Sequence, residues 1–478
     1  MGAEQILINV APGETRIAIL EGERLASLII ARDGSESLVG NIYLGRVETV
    51  LDGLQAAFVD IGEARSGFLS VADLRPPGDD RRDDIGDYVS EGDAVLVQVL
   101  RDPEEDKGAK LTGRVLLTGR DLLYSPSQPG INLSRRISDP DERQRLMEVM
   151  DDVVPEDVAG GFILRTAAQE AEAEDLEAEV SRLAARWAEI EAARASGQAP
   201  ACLERELAPA FMALRDFAGT DLKSVIVDDP ETLSALKAYA EAEMPDVTGL
   251  LHAHVDRHPL FEAHDMEERI DAAIDPYVDL PSGGSLIISE TPALTAIDVN
   301  TGSTEGSGRE QSAVKANEEA AREIARQIRL RNLSGLIVVD FVSMRRRDSQ
   351  ESVNRVLRHA LNHDPLRPHV VGFTKLGLLE MTRRRRGASL AEILTGGTVV
   401  PRKTPWTVAL EALRAVSREA AARPAPKFEI HVPSAVADAF EGPAAAALKT
   451  LEERLGTAVD VVGEAEFAPE TIDVRGIH

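Results

Sequence analysis

The chain has 478 residues, enough for about three domains at roughly 150 residues each. Hydrophobic residues at 43% and charged residues at 28% can build ordinary globular cores, while 4% aromatics argues against a carbohydrate binder built on stacked rings. The 53 basic and 82 acidic residues leave a net charge of −29, which excludes a uniformly basic nucleic-acid coat but not a local basic groove.

The single cysteine, Cys202, excludes an intrachain disulfide and a cysteine-rich zinc ribbon. The N-terminus reads as neither a secretory signal nor a myristoylation site, since Ile6 stands where the latter needs Ser or Thr. No apolar run approaches the length of a membrane span. A soluble, cytoplasmic chain is the expectation.

Residues 5–10 and 15–20 are β-rich runs split by Ala11-Pro12-Gly13, and 24–31 can form a third strand. From Gly40 the texture changes. NIYLGRVETVL, QAAFVDIG, RSGFLSV and DAVLVQVLR read as strands, and Val95, Val97 and Val99 alternate with the period of a half-buried strand. Five short strands within about 80 residues suggest a small barrel of the OB type, with the acidic stretch 75–87 as a loop. Residues 139–154 open with an Asp-Pro cap signal and predict a short helix; GFILRTAA (161–168) predicts a strand. In a helix over 169–195, Leu176, Val180, Leu183, Trp187 and Ile190 form one apolar stripe. Glu170, Glu172, Glu174, Asp175, Glu177 and Glu179 are expected on a solvated acidic face.

Further on, 224–230 reads as a strand, 231–242 as a helix and 285–300 as a hairpin. Then come a long helix over 310–331, a buried strand over 335–341, a helix over 349–363 and a strand over 369–375. Residues 400–478 suggest a small α+β module.

The sharpest constellation is LTAIDVN (294–300), the long helix and GLIVVDF (335–341). Strand, helix, strand is a βαβ unit with parallel strands, and ligands gather at the carboxyl ends of such strands. Asp298 and Asn300 are two apart, so both leave the same face, and Asp340 lies near the end of the second strand. Two carboxylates and an amide oxygen suit Mg²⁺ or Mn²⁺ held with several waters. Alternatively, both aspartates only end strands and cap the following turns.

Local charge is the second feature. Residues 331–386 hold twelve Lys and Arg against five Asp and Glu, with tight runs at Arg345–Arg347 and Arg383–Arg386. Beside a cation site, such a stretch suits a polyanion; otherwise it is a solvated surface. In the barrel, Phe58 and Phe68 lie on neighbouring strands with Tyr43, Arg46 and Arg65 near in sequence. They form either a stacking platform for single-stranded nucleic acid or part of the core. His252, His254, His258 and His264 crowd into thirteen residues; plain surface histidines are favoured over a zinc site. PSGGS (281–285) is a turn, because no Gly-Lys-Ser/Thr follows.

Taken together, GNIYLGRVETVLDGLQAAFVDIG with GFLSVADL, GFILRTAA, LPSGGSLIISETPALTAIDVNTGS, EIARQIRLRNLSGLIVVDFVSM and KLGLLEMTRRR resemble the ribonuclease E/G family in collinear order. The resemblance implies an α+β multidomain chain. An RNase-H-like region (1–38 and 219–278) is interrupted by an OB-fold RNA-binding barrel (39–118) and a 5′-sensor region (119–218). A DNase-I-like α/β nuclease domain (279–396) and a small C-terminal domain (397–478) follow. It also implies a Mg²⁺-dependent endoribonuclease that cuts single-stranded, AU-rich RNA and prefers a 5′-monophosphate end. The family's catalytic Asp, Asn and Asp fall on Asp298, Asn300 and Asp340, with Asp298 and Asp340 as metal ligands. Its 5′-phosphate pocket falls on Arg165, Thr166 and Arg367, and its RNA-binding barrel residues on Phe58, Phe68 and Lys107.

The chain departs from the family in three places. GASLAEILTGGTVVPRK has no cysteine where the family has a Cys-Pro-x-Cys zinc link between protomers, so no zinc is expected and any homo-oligomer uses another interface. Ser343 stands where the family often has Asp, which removes one carboxylate near the metal. The long scaffold tail of the larger members is not seen, and the size is closer to the ribonuclease G type. These departures motivate an alternative, an RNA-binding scaffold or regulator with weak or no cleavage.

Overall fold

Pro12 and Gly13 turn the first hairpin. Gly13 has φ +78°, and a Cβ there would stand 2.5 Å from the Ala447 Cβ, so both the turn and the close packing require glycine. In the computed structural model the described residues are 3–74, 84–103, 107–134, 136–156, 158–169, 171–302, 309–362, 364, 366, 368–385, 387–396 and 402–477. They fall into two compact units: 1–36 with 220–240 and 246–478, and 37–219 with 241–245.

The first unit holds three sheets. In the first, the order is Leu251–Ala253, Ser224–Val227, Gln5–Ala11, Glu14–Glu21, Arg24–Arg32. Its first three strands run parallel and the hairpin strands antiparallel. The second sheet runs Tyr277–Asp279, Ser285–Glu290, Thr295–Asn300, Gly335–Asp340, Leu379–Arg383, His369–Phe373. Thr295–Asn300 and Gly335–Asp340 are its parallel pair, joined through the helix Arg309–Leu330, as the βαβ pattern predicts. Ile297, Val299, Ile337 and Val339 pack on Ile324 and Ile328 of that helix and Val353 and Leu357 of the helix Arg347–Leu361. The strand at 335–341 is therefore not buried throughout. Both helices cover one face, and on the other Leu336 is 56% exposed and Asp340 is exposed.

The third sheet, Val459–Glu464, Lys427–Pro433, Asp473–Ile477, packs against the helices Pro405–Ala422, Ser434–Glu441 and Ala445–Leu455, which is the predicted α+β module. Glu14, 2% exposed, ties this module to the first hairpin. Its carboxylate meets Arg32 at 2.8 Å and Arg414 at 2.8 Å, and Arg32 lies over the Trp406 ring at 4.8 Å.

In the second unit, Ile42–Leu51, Ala56–Asp60, Gly67–Ser70, Lys110–Thr112 and Ala94–Arg101 form a barrel, closed by pairing of the first with the last. Tyr43, Val47, Ala57, Val59, Leu69, Val97 and Leu111 fill its interior. Of the predicted acidic loop, 75–83 lies outside the described residues. A four-stranded sheet, Gly130–Leu133, Gly161–Leu164, Leu122–Ser125, Leu117–Thr118, packs on the helices Pro140–Val153 and Ala173–Ser196. The strand predicted over 161–168 stops at Leu164, and Thr166–Ala168 is a 3₁₀ turn. The acidic face of the long helix is likewise not all solvated: Glu179 is buried with Leu176 and Val180. No helix among the described residues is long and apolar enough to cross a membrane.

Candidate active site

Parallel register sets Asp298 directly beside Asp340. Alternation sends both, with Asn300, to the face opposite the helices, where all three are exposed. Asn300 Nδ2 donates to Asp298 Oδ2 at 2.8 Å, which orients that carboxylate. The chain just past Asp340 is clamped from the long helix. Buried Asn317 donates to the Val342 carbonyl at 2.8 Å and accepts from the Val342 N–H at 3.0 Å. Glu310 accepts from the Arg345 and Arg346 N–H groups at 3.1 Å each, and these bonds hold its carboxyl below the ordinary range. Ser343 is exposed.

The donor set consists of two adjacent carboxylates and an amide. Among the described residues there is no cluster of three or more His, Cys, Asp or Glu placed to hold an ion. Such a set fits an ion that keeps most of its waters, as Mg²⁺ does, and not a tetrahedral zinc centre.

The basic stretch divides on folding. Arg345, Arg346 and Arg347 are exposed, the last two in loose pairs with Asp348 and Glu351. Arg383 is structural: it is 4% exposed and donates to Asp364 at 2.7 Å and to the Leu333 carbonyl at 2.9 Å. Arg331 is also buried. Charge counting along the sequence therefore overstates what a polyanion meets. The four histidines gather no metal site among the described residues; a His254 ring nitrogen bonds the His258 carbonyl instead.

Phe58 and Phe68 face each other across adjacent barrel strands, with ring centroids 6.0 Å apart and planes at 69°. Ala57, Val59 and Leu69 take the interior, so both rings lie outside the core, Phe58 at 37% exposure. The Phe68 N–H donates to the Ala109 carbonyl at 2.8 Å, which puts exposed Lys107 two residues from that strand partner. Tyr43 belongs to the core instead. Its hydroxyl donates to Glu63 at 2.9 Å, and burial pushes its pKa up to about 12. If the two rings carry stacked bases, Phe58→Ala with Phe68→Ala weakens RNA binding by about 1–3 kcal/mol per base. Titration of a labelled single strand checks this, with thermal melting to show that the fold is kept. An unaltered affinity in a folded double mutant counts against the platform.

Arg165 follows the end of the strand Gly161–Leu164. Its N–H donates to the Asp121 carbonyl at 2.7 Å, Nη1 to the Gly119 carbonyl at 2.5 Å and Nη2 to Asp216 at 2.9 Å. Its ion pair is thus with the helix Pro209–Phe217 and not with the acidic helix that follows it in sequence. Thr166 is exposed, with Oγ1 3.4 Å from Ser134 Oγ. Arg367 lies outside the described residues. Sequence reasoning missed Asn317 and Glu179. Glu179 could have been found from its place in the apolar stripe, one residue before Val180 and three after Leu176.

Paired aspartates at the carboxyl ends of parallel strands, an exposed basic run and an OB-like barrel are a combination suited to a phosphodiester-cleaving enzyme. The chain belongs to the ribonuclease E/G family, whose model matches residues 116–386. It is similar to ribonuclease G of Escherichia coli (strain K12), 37% identical over 98% of this chain and 99% of that protein. Ribonuclease G of Haemophilus influenzae is 34% identical over 99% of each chain. Ribonuclease E of a Nostoc species is 39% identical over 81% of this chain and 56% of its own length.

Proposed function

We propose that this endoribonuclease of the ribonuclease E/G family cleaves single-stranded RNA in a Mg²⁺-dependent reaction, favours 5′-monophosphorylated ends, and serves RNA processing and decay in the cytoplasm. The observation that carries the proposal is the Asp298–Asp340 register with Asn300 bonded to Asp298. Asp298 and Asp340 would hold Mg²⁺, with Mn²⁺ as a substitute. When bound, the ion supplies an activated water and offsets charge on the phosphodiester. Asn300 keeps one carboxylate oxygen of Asp298 fixed, so the aspartate presents a single orientation. Phe58 and Phe68 would stack bases of the substrate, with Lys107 on its backbone. Cleavage leaves a 3′-hydroxyl and a 5′-phosphate. In this reading the first sheet and the second sheet are the RNase-H-like and DNase-I-like regions of the family, and no zinc joins protomers. Incubating the purified protein with 5′-monophosphorylated RNA, with and without Mg²⁺, tests the proposal. Cleavage that is unchanged after exhaustive chelation would refute the metal assignment.

End preference rests on Arg165 and Thr166. A terminal monophosphate carries more charge and more free oxygens than an internal diester, and a guanidinium fork beside a hydroxyl can tell them apart. The wild type should cut a 5′-monophosphorylated RNA faster than the same RNA with a 5′-hydroxyl. Arg165→Gln should remove most of that difference. Equal wild-type rates at subsaturating RNA and fixed salt would show that this pocket does not sense the end.

A further inference from the structure

Glu179 is the odd member of its helix. It is 3% exposed, yet a leucine would satisfy the apolar stripe there at no electrostatic cost. Its carboxylate accepts the Asp121 N–H, 3.1 Å from each oxygen, and the Leu122 N–H at 3.4 Å. The same turn meets Arg165 with its carbonyls: Gly119 O accepts from the guanidinium Nη1 at 2.5 Å, and Asp121 O accepts the Arg165 backbone N–H at 2.7 Å. The Gly119 N–H donates to the Leu122 carbonyl at 2.9 Å and closes the turn. One short turn therefore lies between a buried carboxylate and a guanidinium. Its N–H groups point at the carboxylate and its Gly119 carbonyl at the guanidinium, while its Asp121 carbonyl holds the Arg165 backbone N–H, so the turn fixes both the side chain and the main chain of Arg165.

Two further observations show that the carboxylate is built into this turn. A Cβ on residue 119 would stand 1.8 Å from Glu179 Oε1, so only glycine lets the carboxylate reach its place. Burial, with Asp121 close by, pushes the Glu179 carboxyl up to about 7, against the pull of the Asp121 and Leu122 N–H groups and Arg182. The group is thus held in an unfavourable setting in return for fixing the turn. On the far side Asp216 holds Nη2 of Arg165. The guanidinium is pinned at two points, and the turn supplies one of them.

We infer that Glu179 is a positioning residue for 5′-end recognition, acting through the 119–122 turn on Arg165. The inference rests on the 5′-end reading of Arg165 given above. Glu179→Gln keeps the volume but leaves one acceptor for the turn. Gly119→Ala approaches from the other side and displaces the carboxylate. The readout is the ratio of initial cleavage rates on 5′-monophosphorylated and 5′-hydroxyl forms of one RNA, with thermal melting to show that each variant is folded. The ratio should fall toward one in both variants, further in Gly119→Ala than in Glu179→Gln. A merely structural defect would lower both rates together and leave the ratio in place. A wild-type ratio retained by either folded variant would overturn the inference while leaving the 5′-end reading intact. A wild-type ratio of one overturns both.

Discussion

Asp298→Asn and Asp340→Asn should each abolish RNA cleavage while RNA binding survives. The two carboxylates are neighbours in register and form the only adjacent acid pair that the parallel strands Thr295–Asn300 and Gly335–Asp340 bring together among the described residues. Asparagine keeps the shape and removes the charge that would neutralise a hard cation. The loss should exceed the roughly 10–100-fold drop typical of changing a partner that only orients a ligand. Asn300→Ala belongs to that milder class, because Asn300 acts on Asp298 through one hydrogen bond. Gel-resolved cleavage rates with filter-binding affinities test the series. Near-wild-type cleavage by either aspartate variant would end the assignment.

The second large effect is on stability. Glu14 is enclosed by Arg32, Arg414 and, at 4.0 Å, Arg16. Burial raises its carboxyl pKa, but the combined pull of Arg414, Arg32 and Arg16 outweighs this and holds it below the ordinary value of 4.5. Glu14→Gln leaves those guanidinium groups without their shared counter-charge. Breaking a buried pair in this way costs about 3–5 kcal/mol. The sign in pH follows from the direction of the shift. With the folded value below the unfolded one, the stabilisation is complete above about pH 4.5 and is lost as pH falls through the folded value. Urea unfolding of wild type and variant should differ most near neutrality and converge in acid. A gap that stays constant down to pH 2 would show that the glutamate's charge is not its source.

Much of the fold was legible because its signals are local. The βαβ unit rests on short apolar strands around one amphipathic helix, and Ala11-Pro12-Gly13 marks its own turn. The catalytic candidates were legible for the same reason, since a two-residue spacing fixes a shared strand face. What the sequence hid depends on distant partners. The ion pair of Arg165 with Asp216 spans 51 residues, and that of Arg383 with Asp364 turns an apparent surface cation into a core one. Glu179 is a different case: composition treats every acid of a helix alike, but its angle on the helical wheel, between Leu176 and Val180, already marks it for burial. The strand at 335–341 looked buried because an apolar run carries no record of which face the helices cover.

The pairing of Gln5–Ala11 with Ser224–Val227 has a consequence during synthesis. Gln5 meets Ser224 across 219 residues, all of which must leave the ribosome before the first sheet can close. At typical translation rates that interval is roughly 10–40 s, far longer than a barrel of this size needs to fold. The first hairpin must therefore wait with one edge unpaired while the inserted unit folds. Asn9 and Gln5 lie on that waiting strand, and in the finished sheet they bond to Asp228 and Ser224 across the same gap.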